Sequence, residues 1–335
     1  MSRSRPTIYD VAQEAGVSKS LVSLVIRGSK SVSKESEMAV KDAIKKLNYQ
    51  PNRAASDLAA KSTKLIAILI DDYSNPWFVD LLQGLSEVLT PEGYRLSVID
   101  SITSQADSSQ DPFGNAMSMR PDGIIIAQDI VGFHAPDTAP PFVIAGTRLT
   151  PARPEDSIAN DDVLGARLAT EHLINLGHKK IAHLCVPGGA GSKRQESYIA
   201  TMRKNGLEPI LTQNQHPASE KVGFQDTLEL LRNDPEISAI FASNDVMAIG
   251  ALGAARELNL QVPSQLSIVG YDNTPLAQTR LINLTTIDDD SAGVGRNAAH
   301  LLLNKLFDAA PHPPIIHTLQ PALIQRGTTA PLIEC

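Results

Sequence analysis

Seven side chains sit where an alternating strand-and-helix chain would place its chemistry. Trp77 and Phe78 follow the apolar run LIAILI, and Arg148 follows FVIAG. Arg194 lies beyond IAHLCV and a glycine-rich PGGAGS, Asn244 follows AIFAS, Asp272 follows SIVGY, and Asp289 falls in the run DDD. In parallel α/β sheets ligands bind beyond the carboxyl ends of strands. Flat rings can stack on the C–H face of a sugar, and guanidinium, amide and carboxylate groups can hold hydroxyls. Each residue also has an ordinary reading: Trp77 as core, the arginines as surface ion pairs, Asn244 as a helix cap and Asp272 as a turn residue. PGGAGS, expected to be a loop ahead of a helix, lacks the GK[ST] of a phosphate-binding loop. His172 and His178 are not at a metal-ligand spacing, and Cys185 and Cys335 fit no metal or disulfide framework. No acid pair or nucleophile–base set stands out, so neither an enzyme nor a metal or other cofactor is expected.

The elements that must position these groups begin at Lys64. Buried strands are expected at 65–70, 95–99, 123–127, 142–146, 181–186, 239–243 and 266–270, with helices between them. Such alternation predicts an α/β fold with two parallel sheets. The polar segment 103–120 is expected to be a loop.

The first sixty residues read differently. The chain of 335 residues carries a net charge of −7, yet residues 1–61 hold 11 Lys/Arg against 6 Asp/Glu, and the remainder 19 against 31. A basic head on an acidic body is the asymmetry expected when only the head meets phosphate. Thr7 can cap a first helix with the apolar stripe Ile8, Val11, Ala12, Ala15, and Gly16 suits a left-handed stop. Ser18 can cap a second helix with Leu21, Val22 and Val25 inward. Its outward face is then Lys19, Ser20 and Ser23, with Leu24 and Arg27 nearby. Ser33 can cap a third helix, with Val40, Ala43, Ile44 and Leu47 inward and Pro51 at its end. Two short helices around a tight turn make a helix-turn-helix, whose second helix reads bases from its first turn; a solvated helix face is the bland alternative. After Pro51, Asn52 can cap a short alanine-rich helix over roughly 53–60 that is marginal on its own.

TIYDVAQEAGVSKSLVS followed by LNYQPNRAASDLA resembles the lactose-repressor (LacI) family of bacterial transcription regulators. The likeness continues through SNPWF, DGIII, IANDD, LGHKKIAHL, FASNDVMAIGAL, SIVGYDNTP and LTTIDDD. The resemblance implies a helix-turn-helix head over 1–50, a hinge over 51–62 and a two-lobed core of the periplasmic-binding-protein type over 63–335. Its N-lobe would be about 63–160 with 290–320, and its C-lobe about 161–288 with 321–335. It implies a homodimer on a palindromic double-stranded operator, controlled by a sugar, cyclitol or nucleoside effector. Tyr9 matches a phosphate-contacting position. Arg53 and Ala55 lie on the matched hinge, and Leu58 matches the leucine that wedges into the minor groove. Arg194, Asn244 and Asp272 match positions that hold effector hydroxyls, and Trp77–Phe78 matches the aromatic wall. Two departures stand out. Leu24 replaces the family's common arginine, which predicts less guanine at that base and contact with a thymine methyl instead. Asp289 replaces a polar residue that touches the ligand, which leaves the effector's identity open. A regulator whose ligand or partner protein promotes DNA binding shares every one of these motifs. A transport receptor would explain the body but neither the head nor the absence of an apolar leader. No apolar run is long enough to span a membrane, and a cytoplasmic location is expected.

Overall fold

The computed structural model describes residues 6–26, 31–50, 62–100, 111–130, 133–149, 154–213, 216–308, 310 and 312–332. Contacts divide the chain into two compact units, Met1–Thr63 and Lys64–Cys335.

The first unit is built from α1 (Ile8–Glu14), α2 (Lys19–Ile26) and α3 (Lys34–Leu47). Asp10, three residues into the chain from Thr7, reaches back to accept from the Thr7 N–H at 2.7 Å and its hydroxyl at 2.8 Å. This satisfies a donor that the helix leaves free. Gly16 takes φ +66° and turns the chain. Ser18 then accepts from Leu21 N, and Ser33 from Ser36 N. Val11, Ala12, Val22, Val40 and Ala43 form a small core, to which Tyr49 adds a buried ring that the helical stripes did not reveal. The third helix ends earlier than Pro51 suggested: Asn48 adopts the left-handed conformation, and its N–H and that of Tyr49 bond back to Lys45 and Ile44 carbonyls. A left-handed C-cap stops a helix without proline.

The second unit contains two six-stranded sheets. One holds β1 (Leu65–Ile70), β2 (Arg95–Asp100), β3 (Gly123–Ala127), β4 (Phe142–Ala145), β5 (Ser157–Asn160) and a late β11 (Ile316–Leu319). Its order is β11-β5-β4-β3-β1-β2, parallel throughout. The other holds β6 (Ile181–Leu184), β7 (Ile210–Leu211), β8 (Ala239–Ala242), β9 (Ser267–Tyr271), β10 (Thr285–Asp288) and β12 (Ala322–Ile324). Its order is β12-β10-β9-β8-β6-β7, with only the β10–β12 pair antiparallel. Helices cover the faces: α4 (Trp77–Leu89) and α5 (Pro112–Ser118) in the first lobe, then α6 (Asp162–Asn175), α7 (Gly189–Lys204), α8 (Glu220–Asn233) and α9 (Asp245–Glu257) in the second. The last helix, α10 (Ser291–Phe307), returns to the first lobe and packs on α4.

Two expectations need correction. The segment 103–120 is not a loop throughout, because Pro112–Ser118 is helical. Asp111 accepts from Phe113 N and Gly114 N, Pro112 needs no donor in the first turn, and Phe113 and Ala116 are buried. The ring of Phe113 meets Phe133 and Phe142 edge-on. Residues 101–110 lie outside the described residues. The glycine-rich PGGAGS is likewise not a loop ahead of a helix: α7 begins inside it, at Gly189.

The contact of α4 with α10 is set by glycine. A Cβ on Gly84 would lie 2.0 Å from the Ala292 carbonyl oxygen, and one on Gly295 would lie 2.3 Å from that of Leu81. Neither neighbour is a side chain that can swing away, so the helices must part. A Gly84→Ala protein should lose about 1–3 kcal/mol of core stability, the usual cost of overpacking. Thermal unfolding followed by circular dichroism will show this as a lowered midpoint.

Candidate functional site

A cleft of about 500 Å³ opens between the two lobes at the carboxyl ends of their strands. Asp71 and Asp72 follow β1, Asp129 follows β3, Gly146–Arg148 follow β4 and Asn160 ends β5. From the other lobe come the first turns of α7, then Ser243 and Asn244 after β8 and Asp272 after β9. Of the expected effector set, Trp77, Phe78, Arg148, Arg194, Asn244 and Asp272 all line this one cleft.

Arg194 is its most tightly held member, 6% exposed. Its Nε donates to Asp162 Oδ1 at 2.7 Å, and its Nη1 to the Ser243 carbonyl at 2.6 Å and to Asp272 Oδ1 at 3.4 Å. The guanidinium lies 3.5 Å from the centroid of the Tyr271 ring. Burial works against its charge, but the carboxylates of Asp162, Asp272 and Asp289 outweigh that and hold it cationic. The ordinary reading of Arg194 as a surface ion pair therefore fails, because both side chains of the Asp162 pair are under a tenth exposed. Asp272 itself is pushed well above the carboxylate range by burial, which Arg194 only partly offsets. Its backbone takes φ +100°, a conformation rare for any residue with a Cβ.

Arg148 belongs to the first lobe. Its Nη1 meets Asp71 Oδ2 at 3.0 Å, and its Nε donates to the Ala145 carbonyl. The guanidinium lies 5.3 Å from the Trp77 ring and 5.7 Å from Phe78. The two rings meet edge to face at 5.1 Å. Trp77 is only 6% exposed. Its two readings, core and cleft wall, both hold, since it belongs to the first lobe's hydrophobic cluster and also lines the cleft. Asn244 likewise fills two roles: it caps α9 through Met247 N at 3.0 Å and faces the cleft.

Asp289 is placed differently. It is fully buried and does not line the cleft. Its Oδ2 accepts the Trp77 indole N–H at 2.9 Å, so it stands behind the aromatic wall rather than in it. The other members of the DDD run have separate tasks: Asp288 accepts from Asn273 Nδ2, and Asp290 caps α10 at Gly293 N. Among the described residues no His/Cys/Asp/Glu group could hold a metal.

The sequence reading missed the groups that join the lobes. Asp129 accepts from Leu149 N at 2.6 Å in its own lobe and from Gly189 N at 3.0 Å in the other. It thereby supplies the N-terminal cap that α7 lacks from its own Gly188. A Cβ on Gly189 would lie 2.5 Å from the carbonyl carbon of Arg148. PGGAGS is glycine-rich because the backbone of the opposite lobe comes this close. The available signal was position: Asp71, Asp129 and Asp162 all stand just beyond strand ends.

In the head, Lys19 and Ser20 are exposed in the first turn of α2, Ser23 is half-buried and Leu24 is 38% exposed. The Lys19 ammonium lies 4.9 Å from the Tyr9 ring centroid and 3.3 Å from its hydroxyl, on one face of α1 and α2. Thr7 and Ser18 are engaged at helix starts, as above. Arg27, Asn52, Arg53, Ala55 and Leu58 lie outside the described residues.

A helix-turn-helix head carried with a two-lobed α/β binding core is the construction of a ligand-responsive transcription regulator. Residues 7–52 match the model for bacterial regulatory proteins of the lacI family, and residues 170–329 match a periplasmic binding protein-like domain. The ribose operon repressor of Halalkalibacterium halodurans is 32% identical over 96% of this chain and 97% of its own length. A LacI-family regulatory protein from Corynebacterium glutamicum, known by crystal structure, is 66% identical over 80% of this chain and 99% of that one, with a TM-score of 0.73. The lac repressor dimer bound to operator and the anti-inducer ONPF is 28% identical over 98% of this chain and all of that one, with a TM-score of 0.82. The chain belongs to the LacI family, whose members are DNA-binding repressors and not enzymes.

Arg194→Ala should leave Asp162 and Asp272 facing each other unpaired, at a cost of roughly 3–5 kcal/mol. Arg194→Lys should recover little of it, because a point charge cannot serve Nε and Nη1 partners together. Chemical denaturation of the three proteins, followed by circular dichroism, will order them. Equal stability of wild type and alanine variant would show that the pair does not hold the cleft.

Proposed function

We propose that this chain is a homodimeric repressor that acts in the cytoplasm on a palindromic operator and is controlled by a small, neutral, polyhydroxylated effector. The observation that carries this reading is the lining of the cleft. Asp71, Asp72 and Asp129 face two cations, Arg148 and Arg194, and both cations already contact carboxylates. A phosphorylated or carboxylated ligand would enter a field of its own sign. A sugar, cyclitol or nucleoside brings hydroxyls that these groups can bind and an apolar face for Trp77. A LacI-family regulator from Enterococcus faecium with bound ribose has this core, at 28% identity and a TM-score of 0.72 over 80% of this chain and all of that one.

In this reading residues 1–50 bind the major groove, 51–62 form the hinge with Leu58 as the minor-groove wedge, and 63–335 bind effector and partner subunit. Leu281, 95% exposed, and Leu276, 48% exposed, offer apolar surface of the kind a second subunit covers. Lys19 and Ser20 read base edges, Tyr9 and Arg27 contact phosphate, and Leu24 meets a thymine methyl. Effector and operator alter each other's affinity reciprocally, by on the order of 1–3 kcal/mol.

A thermal-shift panel tests the effector class. Binding to the folded protein alone stabilises it by about 2.7 kcal/mol at a hundredfold excess over the dissociation constant. D-ribose, other neutral sugars, cyclitols and nucleosides should supply the hits, and ribose 5-phosphate should not. Hits confined to phosphorylated compounds would overturn the class. For the head, a binding selection on randomised operators should show Leu24→Ala losing preference for thymine at one base of each half-site, by roughly 1 kcal/mol or more. An unchanged profile would remove Leu24 from base reading.

A further inference from the structure

Behind the cleft wall lies a buried cluster whose charges do not balance. Asp162, Asp272 and Asp289 are each no more than 5% exposed and share one guanidinium, that of Arg194. Asp162 uses Oδ1 for Arg194 Nε, and Asp272 Oδ1 faces Nη1. Asp289 makes no ion pair and uses Oδ2 for the Trp77 indole N–H. Three polar atoms of the cluster are buried with no hydrogen-bond partner: Asp289 Oδ1, Asp162 Oδ2 and the Tyr271 hydroxyl. Three carboxylates against one cation, with two carboxylate oxygens unserved, is a costly arrangement when all are ionised. Two protons remove the excess; Asp272, pushed well above the carboxylate range by burial, holds one, and a second is still needed.

The groups acting on Asp289 come from every element around it. Arg194 on α7 is the attractive one, and Trp77 on α4 donates its N–H. Asp162 on α6 and Asp288 on β10 repel, and Asp272 and Tyr271 at the end of β9 interact with it as well. With Asp272 neutral, Asp289 is the place for the second proton, because Asp162 keeps its close ion pair with Arg194 whereas Asp289 has no cation partner and its free Oδ1 can carry the hydrogen.

We propose that Asp289 is a positioning residue behind the cleft wall, which binds a proton in its buried cluster and whose protonation state sets how firmly Trp77 is seated. The cluster is sealed by the protein's own side chains, so the proton binds without a ligand. The ionised carboxylate holds the indole N–H more strongly than the neutral acid, so the hold on Trp77 loosens as pH falls through neutrality. Burial, opposed by Arg194, pushes the Asp289 carboxyl up to about 7, which puts the transition in an accessible range. Any effect on effector binding rests on the cleft being the effector site; protonation of Asp289 behind Trp77 does not.

The test therefore uses no ligand. Trp77 is the chain's only tryptophan, so its emission reports on the carboxyl that its N–H touches. Full-length wild type, Asp289→Asn and Asp162→Asn are titrated from about pH 5 to about pH 9, spanning the range where an ordinary carboxyl stays ionised. Wild-type emission should change with a midpoint near neutrality, and Asp289→Asn should remove that change. Asp162→Asn, which takes away a repelling charge, should move the midpoint to lower pH. Thermal unfolding gives a second readout with a definite sign. A carboxyl whose folded value is raised ionises first in the unfolded chain, so wild type loses stability as pH climbs from about 4 to about 7. Asp289→Asn lacks that loss, so its advantage over wild type should widen across the window and then stay constant. Flat wild-type emission, an unmoved midpoint in Asp162→Asn, or parallel unfolding profiles would each overturn the proposal. Should Asp289→Asn fail to fold, wild type and Asp162→Asn decide it. A failed effector panel leaves this result standing.

Discussion

The buried guanidinium of Arg194 is the constraint on which the cleft depends. One side chain from α7 reaches Asp162 at the start of α6, the Ser243 carbonyl after β8 and Asp272 after β9, and lies on Tyr271. Three separate segments of the C-lobe are thus referred to one planar group with fixed donor directions. Their burial raises the energy of any misplaced partner, since an unpaired charge in that interior costs far more than the pair returns. Asp272 can hold a left-handed backbone because its side chain is fixed from this side.

The first lobe has no such centre. Arg148 is anchored by Asp71 and the Ala145 carbonyl and lies over the aromatic pair, with Gly146 leaving no room for a side chain between them. What joins the lobes across the cleft is the Asp129 carboxylate capping the Gly189 N–H, and Gly189 against the Arg148 backbone. A charged core on one side and a backbone contact on the other give the cleft one rigid wall and one that can release. A single aspartate–amide bond is modest when water can replace it.

The fold was largely legible because its strands are continuous apolar runs, buried on both faces, and such runs announce parallel sheets. The helix at Pro112–Ser118 was not, since only two of its residues are buried and its start depends on an Asp-Pro cap embedded in polar sequence. In the site, strand-end position identified Trp77, Phe78, Arg148, Arg194, Asn244 and Asp272 as neighbours. It could not show that Arg194 is spent on internal partners, because pairing across α6, α7 and β9 is tertiary. The same limit applies to Asp289. Register with ligand-contacting positions put it in the cleft, whereas the side chain turns behind Trp77. Asp129 and Gly189 were invisible for a related reason: a cap supplied by another lobe leaves no local spacing to read.

The chain crosses between the lobes three times, after β5, after β10 and between β11 and β12. Two of the crossings carry the charge imbalance. Asp162 stands just beyond the first and Asp289 in the second, and each has one buried carboxylate oxygen without a partner. Residues at lobe crossings absorb the backbone rotation when lobes move. A change in lobe angle acts directly on these two carboxylates. Hydrophobic crossings would carry no such charge, whereas aspartates there leave an excess that a proton relieves. A regulator needs its two states to lie within reach of a ligand's differential binding energy, and a frustrated charge at the pivot is a direct way to keep them there.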